Sequence, residues 1–261
     1  MNESNSTPQG KLLLMPNTLD FGCDPSAAPN IQYTLPHGVI EQAAALTHWV
    51  AENAKTTRAF LKRVDEVVPL TQTLQNISII ELPRPPKGGH QALPQDLTPL
   101  LSPALAGHDV GLISEAGLPA VADPGAALVQ AAHAAGVRVE VLCGPSSLLL
   151  ALAASGLQGQ CFAFVGYLPV NDGQRSAKLR ELETISKRQQ QTQLLIETPY
   201  RNAALWAALL SQLQPSTRLA VSCGLTLPQG FSITRTVAQW RKQALELPND
   251  IPAVFCFLAG I

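Results

Sequence analysis

The segment "SEAGLPAVADPG", Ser114 to Gly125, has residue types that are well suited to chemistry. Glu115 and Asp123 supply carboxylates, and the glycines allow the backbone to approach a ligand closely. A connection between a strand and a helix usually needs only a few residues, so a longer one with its own turn chemistry predicts a loop that holds something. Two simpler interpretations stay open: Glu115 can point to solvent from an ordinary turn, and Asp123 can cap the helix that follows.

A second group of polar residues ends an apolar run in "IETPYRN". Glu197, Thr198, Tyr200 and Arg201 share one short loop, which is dense polarity for a chain this apolar. The loop is a candidate for positioning a substrate. A structural salt bridge that involves Glu197 or Arg201 is the simpler interpretation.

The segment "GYLPVNDGQRSAKLR" carries a modest basic cluster, formed by Tyr167, Arg175, Lys178 and Arg180. Cations at this density suit phosphate groups. The same pattern is also expected for a solvated helix face, and the residues alone do not separate the two interpretations.

Regular strand and helix patterns place these loops. Strands are predicted in "KLLLMP", "THWVAE", "ISIIELP", "DVGLIS" and "VRVEVLC", and helices in "LPHGVIEQAAAL", "KTTRAFLKRV", "LPQDLTPLLSPALAG", "GAALVQAAHAAG" and "LLLALAASG". Thr34 is the candidate cap of the first helix, and "RPPKGGHQ" has the composition of a surface loop. Such alternation predicts parallel strands with right-handed crossovers, whose ligands lie beyond the carboxyl ends of the strands.

Three loops therefore share one edge of the predicted sheet: residues 16–22, 114–125 and 144–147. From about residue 158 the pattern changes to apolar strands with few helices between them, which favours a mixed sheet. We predict two α/β domains, residues 11–157 with a mostly parallel sheet and flanking helices, and residues 158–261 with a mixed sheet.

Composition limits the class of protein. Apolar residues make up 46% of the 261 residues and charged residues 14%, which predicts a compact protein with apolar interfaces and favours a homo-oligomer. The net charge of −1 indicates no global attraction for nucleic acid. The five cysteines form no C-x-x-C pair, the first ten residues do not resemble a signal peptide, and no apolar run is long enough to span a membrane. A cytoplasmic protein is expected.

Several known cofactor and catalytic motifs are missing from the sequence, which argues against further classes of protein. The chain contains neither the G-x-G-x-x-G dinucleotide fingerprint nor the phosphate-binding loop G-x-x-x-x-G-K-[ST], which argues against NAD and ATP. None of the five histidines falls in a motif, and no serine or cysteine nucleophile has a histidine partner at a predicted strand end. Hydrolase chemistry therefore has no support.

Taken in order, four motifs resemble those of the tetrapyrrole methylase superfamily, which uses S-adenosylmethionine. They are "LISEAGLPAVADPGAALVQAA", "LCGPSSLLLALAASGL", "FAFVGYLP" and "IETPYR", and "VAENAKTTRAFL" adds a fifth. They are most similar to the branch that methylates a cytidine ribose 2′-hydroxyl of small-subunit ribosomal RNA, with its "LVSDAGTPxISDPGxxLVxxA" and "YESPHR". The resemblance covers residues 11–260 and implies two α/β domains with a cofactor cleft between them.

The resemblance also implies a cofactor site. The loop from Ser114 to Gly125 would form one wall of the cleft, with backbone groups around Glu115, Ala116 and Gly117 on the methionine and ribose ends of S-adenosylmethionine. The expected cofactor-binding residues are Pro16, Ser114, Glu115, Ala116, Gly117, Ala120, Asp123, Pro145, Ser146, Ser147, Thr198 and Leu225.

The catalytic residues implied are few, because a sulfonium methyl is already activated and the protein chiefly aligns the acceptor. Glu197, Tyr200 and Arg201 are the candidates for acceptor positioning, and Glu115 or Glu197 is the candidate base if the acceptor is a hydroxyl. No metal is needed. A homodimer is expected, as is usual in the superfamily.

Several positions depart from the resembled branch. Its first loop "PTPIGNL" is here "PNTLDFG", its "SDAG" is "SEAG", and the lysine of its "LTK" is Leu227. The chain also stops at Ile261, where that branch is expected to continue into a small extension. Three hypotheses stay open: an RNA ribose methyltransferase, a methyltransferase for a tetrapyrrole or other small metabolite, and a cofactor-binding protein without catalysis.

Overall fold

A computed structural model of the protein describes residues 9–20, 28–83, 96–243 and 245–260. The chain divides into two compact units: of the described residues, 9–20 and 30–145 belong to the first, and 28–29 and 146–260 belong to the second. The helix from Ser147 to Ser155 therefore belongs to the second unit. The domain boundary expected after residue 157 stays a prediction.

The first unit is built on a parallel sheet. Its strands are β1 (Lys11–Met15), β2 (His48–Ala51), β3 (Ser78–Glu81), β4 (Val110–Ile113) and β5 (Arg138–Val141), and its helices are α1 (His37–Ala45), α2 (Ala54–Asp65), α3 (Ser102–Leu105) and α4 (Ala126–Ala134). The strand order is β3-β2-β4-β1-β5, and every pairing is parallel. This arrangement confirms the alternation of strands and helices predicted from the sequence.

The second unit is built on a mixed sheet. Its strands are β6 (Phe162–Gly166), β7 (Thr192–Glu197), β8 (Arg218–Cys223), β9 (Phe231–Thr236) and β10 (Ala253–Leu258), and its helices are α5 (Ser147–Ser155), α6 (Asp172–Gln189), α7 (Asn202–Gln212) and α8 (Val237–Lys242). The strand order is β6-β7-β10-β8-β9, and only the β6–β7 pairing is parallel. The predicted α/β fold with a parallel and a mixed sheet is confirmed.

Aromatic pairs anchor the core of each unit. In the first unit Trp49 of β2 meets Phe60 of α2 edge to face, with ring centroids 6.2 Å apart. In the second unit the rings of Trp206 and Trp240 are 5.0 Å apart, and the indole N–H of Trp240 donates to the carbonyl of Leu219. Large buried rings with a satisfied polar atom fix α2 and α8 on their sheets.

Two predicted helix caps are wrong. Thr34 closes a 3₁₀ turn instead, and its hydroxyl donates to the carbonyl of Ile31, so α1 begins only at His37. Asp123 does not cap α4, because Gly125 occupies the N-cap position with φ 131° and the loop continues to that residue. Asp123 is therefore left for a role within the loop.

The helix predicted across residues 93–107 is largely interrupted. Its described part contains a 3₁₀ turn from Thr98 to Leu101 and the single turn of α3. Pro99 and Pro103 lack the backbone N–H that a longer helix would use, which explains the break. Residues 93–95, and the surface loop predicted at 84–91, lie outside the described residues.

Candidate functional site

The carboxyl ends of three neighbouring parallel strands meet in the first unit. After β1 the backbone N–H of Asn17 donates to the carbonyl of Gly117 at 2.8 Å, and the N–H of Gly117 donates to Thr18 at 3.3 Å. The side-chain amide of Asn17 donates to the carbonyls of Ser114 and Glu115, both at 3.1 Å. Asn17, which is buried, thus holds the start of the 114–125 loop on the strand end of β1.

Glu52 holds the same loop from the other side. It directly follows β2, and its Oε2 accepts a hydrogen bond from the backbone N–H of Glu115 at 3.0 Å. The hydroxyl of the buried Ser114 donates to the carbonyl of Ala116 at 3.1 Å. The backbone of residues 114–117 is therefore ordered by side chains from β1, β2 and the loop itself.

The rest of the loop holds an unusual backbone. φ is positive at Gly117 (67°), Ala120 (64°), Ala122 (65°) and Gly125 (131°). For alanine the left-handed region costs about 1–2 kcal/mol, so surrounding contacts must stabilise it. Strained backbone of this kind clusters at ligand-binding sites, which supports a binding role for the loop.

Asp123 lies in this loop with a strongly shifted ionisation. The pKa of Asp123 is raised from 3.8 to about 7, mainly by burial and then by the carboxylates of Glu52 and Glu115, while a hydrogen bond with Ser114 acts in the opposite direction. A cavity of about 270 Å³ next to Asp123 is lined mainly by apolar groups, including Leu82, Pro83, Leu97 and Leu128. Near neutral pH the Asp123 carboxyl is partly protonated and can donate a hydrogen bond.

The loop after β5 approaches the other two closely. A Cβ added to Gly144 would lie 2.1 Å from Cβ of Pro16, so only glycine fits there. A Cβ added to Gly117 would lie 3.5 Å from the carbonyl oxygen of Pro145. The structure thus brings Pro16, Gly117 and Pro145 together with residues 114–116 at one edge of the first sheet.

Three predicted cofactor residues lie in the second unit, around the start of α5. Ser146 is the N-cap residue of α5 but makes no side-chain capping hydrogen bond, and Ser147 is the first helical residue. Leu225, in the loop after β8, and Ile196, near the end of β7, both pack against the apolar cluster that contains Leu148 of α5. One apolar cluster of this unit therefore connects α5 with the end of β7 and with the loop after β8.

The "IETPYR" loop contains a buried ion pair. The side chain of Glu197 is 2% exposed, and its Oε2 lies 3.0 Å from the guanidinium of Arg201. Its Oε1 accepts from the backbone N–H of Thr198 at 2.9 Å. The structural salt bridge considered from the sequence is therefore present. Tyr200 differs from its neighbours because it is 74% exposed, which leaves its ring accessible.

All three cations of the basic cluster predicted near the start of α6 have polar partners, and two of them are paired with carboxylates. Arg175 pairs with Asp172, Lys178 pairs with Glu181 at 3.0 Å, and Arg180 donates to the side chain of Gln212. These contacts favour the interpretation of a solvated helix face over a phosphate site.

Asn17 and Glu52 were missed by sequence reasoning, although both act directly on the 114–117 backbone. A usable signal existed for Glu52, since it is the first residue after a predicted parallel strand. For Asn17 the signal was weaker, because the role depends on a side-chain amide that reaches a loop far away in sequence.

The described residues form neither a metal-binding cluster nor a membrane-spanning helix. Within residues 9–20, 28–83, 96–243 and 245–260, no group of three or more His, Cys, Asp or Glu side chains is arranged to hold a metal ion. Among those same residues no helix has both the length and the apolar character that crossing a bilayer requires.

Known proteins resemble this chain in sequence. The family model of the Tetrapyrrole (Corrin/Porphyrin) Methylases matches residues 39–239. Ribosomal RNA small subunit methyltransferase I of Mesorhizobium japonicum is 39% identical over 151 residues, which is 58% of this chain and 47% of that relative. The protein of the same name from Bacillus subtilis is 34% identical over 153 residues, 59% of this chain and 50% of that relative. The chain spans about half the length of these curated relatives.

A solved structure shows the same fold. The crystal structure of the methyltransferase CobJ superposes with a TM-score of 0.54 at 16% sequence identity, covering 96% of this chain and 100% of that chain. At this identity the likeness concerns the arrangement of helices and strands alone.

Proposed function

The chain belongs to the tetrapyrrole (corrin/porphyrin) methylase family, and on that premise we propose that it is an S-adenosylmethionine-dependent methyltransferase. The observation that carries the proposal is the 114–125 loop, whose backbone is ordered by Asn17 and Glu52 and is left-handed at four positions. A rigid loop at the carboxyl ends of parallel strands is where ligands of open α/β sheets bind. The proposed cofactor-binding residues are those named from the sequence, together with Asn17 and Glu52.

The chemistry of the loop fits this cofactor. S-adenosylmethionine carries positive charge on its sulfonium and on its amino group, and Glu52, Glu115 and Asp123 together create a negative local potential that attracts cations. Gly117, which has no side chain, lets the backbone approach the ligand closely. When bound, the cofactor supplies an activated methyl group, so the protein's residues need only bind it, exclude water and align the acceptor.

Roles for the catalytic candidates follow from their contacts. Both carboxylate oxygens of Glu197 are engaged, one by Arg201 and one by the N–H of Thr198, so Glu197 suits positioning of the "IETPYR" loop. The exposed ring of Tyr200 can contact the acceptor directly. Glu115 is then the better candidate base if the acceptor is a hydroxyl.

We propose RNA as the acceptor, because both curated relatives described above are named for ribosomal RNA methylation. The acceptor differs, however, from the usual ribosomal cytidine. Leu227 stands where the resembled branch has a lysine, and its side chain is buried, so no cation is available at that position. A positioned acid or base contributes about 10²- to 10⁴-fold in rate, so the departures at Glu115 and Leu227 should leave the usual site methylated very slowly.

Two alternative functions stay open as hypotheses. A buried, apolar surround for the acceptor would favour a tetrapyrrole or another small metabolite, and binding without turnover would favour a silent cofactor-binding protein. Calorimetry with S-adenosylmethionine measures whether the cofactor binds. Absence of binding heat at millimolar ligand would refute the proposal. Transfer of labelled methyl to small ribosomal subunits, to isolated RNA or to tetrapyrroles then separates the acceptors.

Complementation addresses the ribosomal site directly. In a strain lacking the ribosomal enzyme, we expect expression of this protein to leave the 2′-O-methyl cytidine mark largely unrestored, as read by mass spectrometry. Full restoration would return the protein to the ordinary ribosomal role. A cytoplasmic homodimer is part of the same proposal, and light scattering at several concentrations decides the subunit number.

A further inference from the structure

We infer that the exposed face of α2 is a docking surface for the phosphate backbone of an RNA strand. The choice of RNA over other polyanions rests on the proposed function, whereas the surface itself is argued from α2. The surface consists of Lys55, Arg58 and Lys62, and it is called the α2 basic face below.

The three cations share one side of the helix. They stand at positions i, i+3 and i+7, which lie within one narrow stripe of an α-helix, and all three side chains are exposed. At about 1.5 Å per residue the stripe extends about 10 Å along the helix axis. Neighbouring cations of the stripe are roughly 5–6 Å apart at Cβ, and their long side chains can adjust to the backbone of a strand. The α2 basic face can therefore neutralise up to about three phosphates of one strand.

The three cations of the α2 basic face differ from several paired cations elsewhere in the described residues. Within the described residues no carboxylate lies within 4.0 Å of Lys55, Arg58 or Lys62, and Arg58 only donates to a carbonyl of its own helix. By contrast, Lys11 pairs with Glu140 and Lys178 pairs with Glu181. In a chain with 14% charged residues, three such cations on one stripe are unusual.

The fold holds α2 without using the basic face. The opposite side of the helix buries Thr57, Phe60, Leu61 and Val64 in the core. Asn53 caps the helix by accepting from the N–H of Lys55, and this bond involves only the backbone of Lys55. The backbone that carries the stripe is thus fixed by the core, and only the three side chains have to be ordered on binding.

The position of the stripe connects it to the candidate site. α2 begins just after Glu52, which accepts the hydrogen bond from the backbone of Glu115. Lys55 therefore lies within one helical turn of the 114–117 loop's anchor, and Arg58 and Lys62 lead away from it. A membrane surface is a poorer partner, because no large apolar side chain of α2 is exposed for insertion into lipid.

The test compares two triple variants with equal loss of charge. The first is Lys55→Gln/Arg58→Gln/Lys62→Gln, and the control is Lys187→Gln/Arg188→Gln/Lys242→Gln, whose side chains are also exposed but lie in the second unit. Binding of a fluorescein-labelled single-stranded RNA of about 20 nucleotides is measured by anisotropy across KCl concentrations, without cofactor. Melting curves check that both variants fold, and a variant with Lys55→Arg/Lys62→Arg keeps the charges.

We expect the α2 variant to lose roughly tenfold or more in affinity at low salt, and the slope of log K against log salt to fall by about 2, which is three phosphates at about 0.7 each. The control and the charge-keeping variant should bind like the parent protein. If the α2 triple variant does not fold, Lys62→Gln alone should reduce the slope by about 0.7.

Several results would overturn the inference. An equal loss of RNA affinity in the control triple variant would mean that only the total charge of the protein matters. An unchanged slope of log K against log salt in the α2 triple variant would mean that these cations contact no phosphate. Competition by polyglutamate as strong as that by RNA would show a non-specific polyanion surface. Because RNA binding is read without S-adenosylmethionine, failure of cofactor binding would count against the proposed function and leave this result untouched.

Discussion

Replacing Gly117 by alanine tests the role of the 114–125 loop, because the substitution has a matched control. Gly117 and Gly136 both adopt left-handed backbone, with φ of 67° and 72°. A Cβ at Gly136 meets nothing within 4 Å, whereas a Cβ at Gly117 lies 3.3 Å from Cδ2 of Leu19. Gly136→Ala therefore carries backbone strain alone, and Gly117→Ala carries the same strain plus a tight contact inside the loop.

The expected stability changes are similar for the two variants. Left-handed backbone costs an alanine about 1–2 kcal/mol, and for a chain of this size each kcal/mol lowers Tm by about 2–4 °C. Both variants should thus melt roughly 2–8 °C below the parent protein. The contact with Leu19 involves a flexible side-chain end, so it adds little to the loss of stability.

The expected cofactor affinities are different. The added methyl at Gly117 lies 3.3 Å from the side chain of Leu19 and 3.5 Å from the carbonyl oxygen of Pro145, where the loops of the proposed cofactor site meet, so it obstructs the ligand more than it disturbs the fold. We expect Gly117→Ala to weaken S-adenosylmethionine binding at least tenfold, which corresponds to about 1.4 kcal/mol, and Gly136→Ala to bind normally. Calorimetry on both variants gives the comparison. Equal affinity in the two would refute the assignment of Gly117 to the cofactor site.

Two further predictions concern ionised groups. The pKa of Asp123 is raised from 3.8 to about 7 by burial and by Glu52, so its ionisation opposes folding, and stability should decline as pH rises from about 4 to about 7. Asp123→Asn should melt higher than the parent protein at pH 8 and like it at pH 4; parallel Tm curves across this range would contradict the shift. Arg201→Met leaves the buried carboxylate of Glu197 unpaired and should destabilise the protein by about 3–5 kcal/mol in urea denaturation. Glu197→Gln in the same chain should recover most of this loss, and a loss that persists would assign the effect to packing of Arg201.

The fold was accessible to sequence reasoning because it depends on patterns of short range. Apolar runs such as Lys11–Met15 and Val110–Ile113, separated by helical patterns, predict parallel strands, and both strands lie where they were expected. The change of pattern after residue 158 likewise predicted the mixed sheet. Caps were predicted less well, since Thr34 and Asp123 both have the residue type of a cap but other groups determine where α1 and α4 begin.

The features of the candidate site also fall into two groups: those that residue type and local spacing predict, and those that only the tertiary structure shows. Sequence alone identified the 114–125 loop and the "IETPYR" loop as polar segments at strand ends, because residue type and local spacing suffice for that. Only the tertiary structure decided that Asn17 and Glu52 hold the first loop and that Asp123 titrates near neutral pH. Hydrogen bonds between residues about 100 positions apart, and the burial that shifts a pKa, exist only once the strands are ordered in the sheet, so no local pattern specifies them.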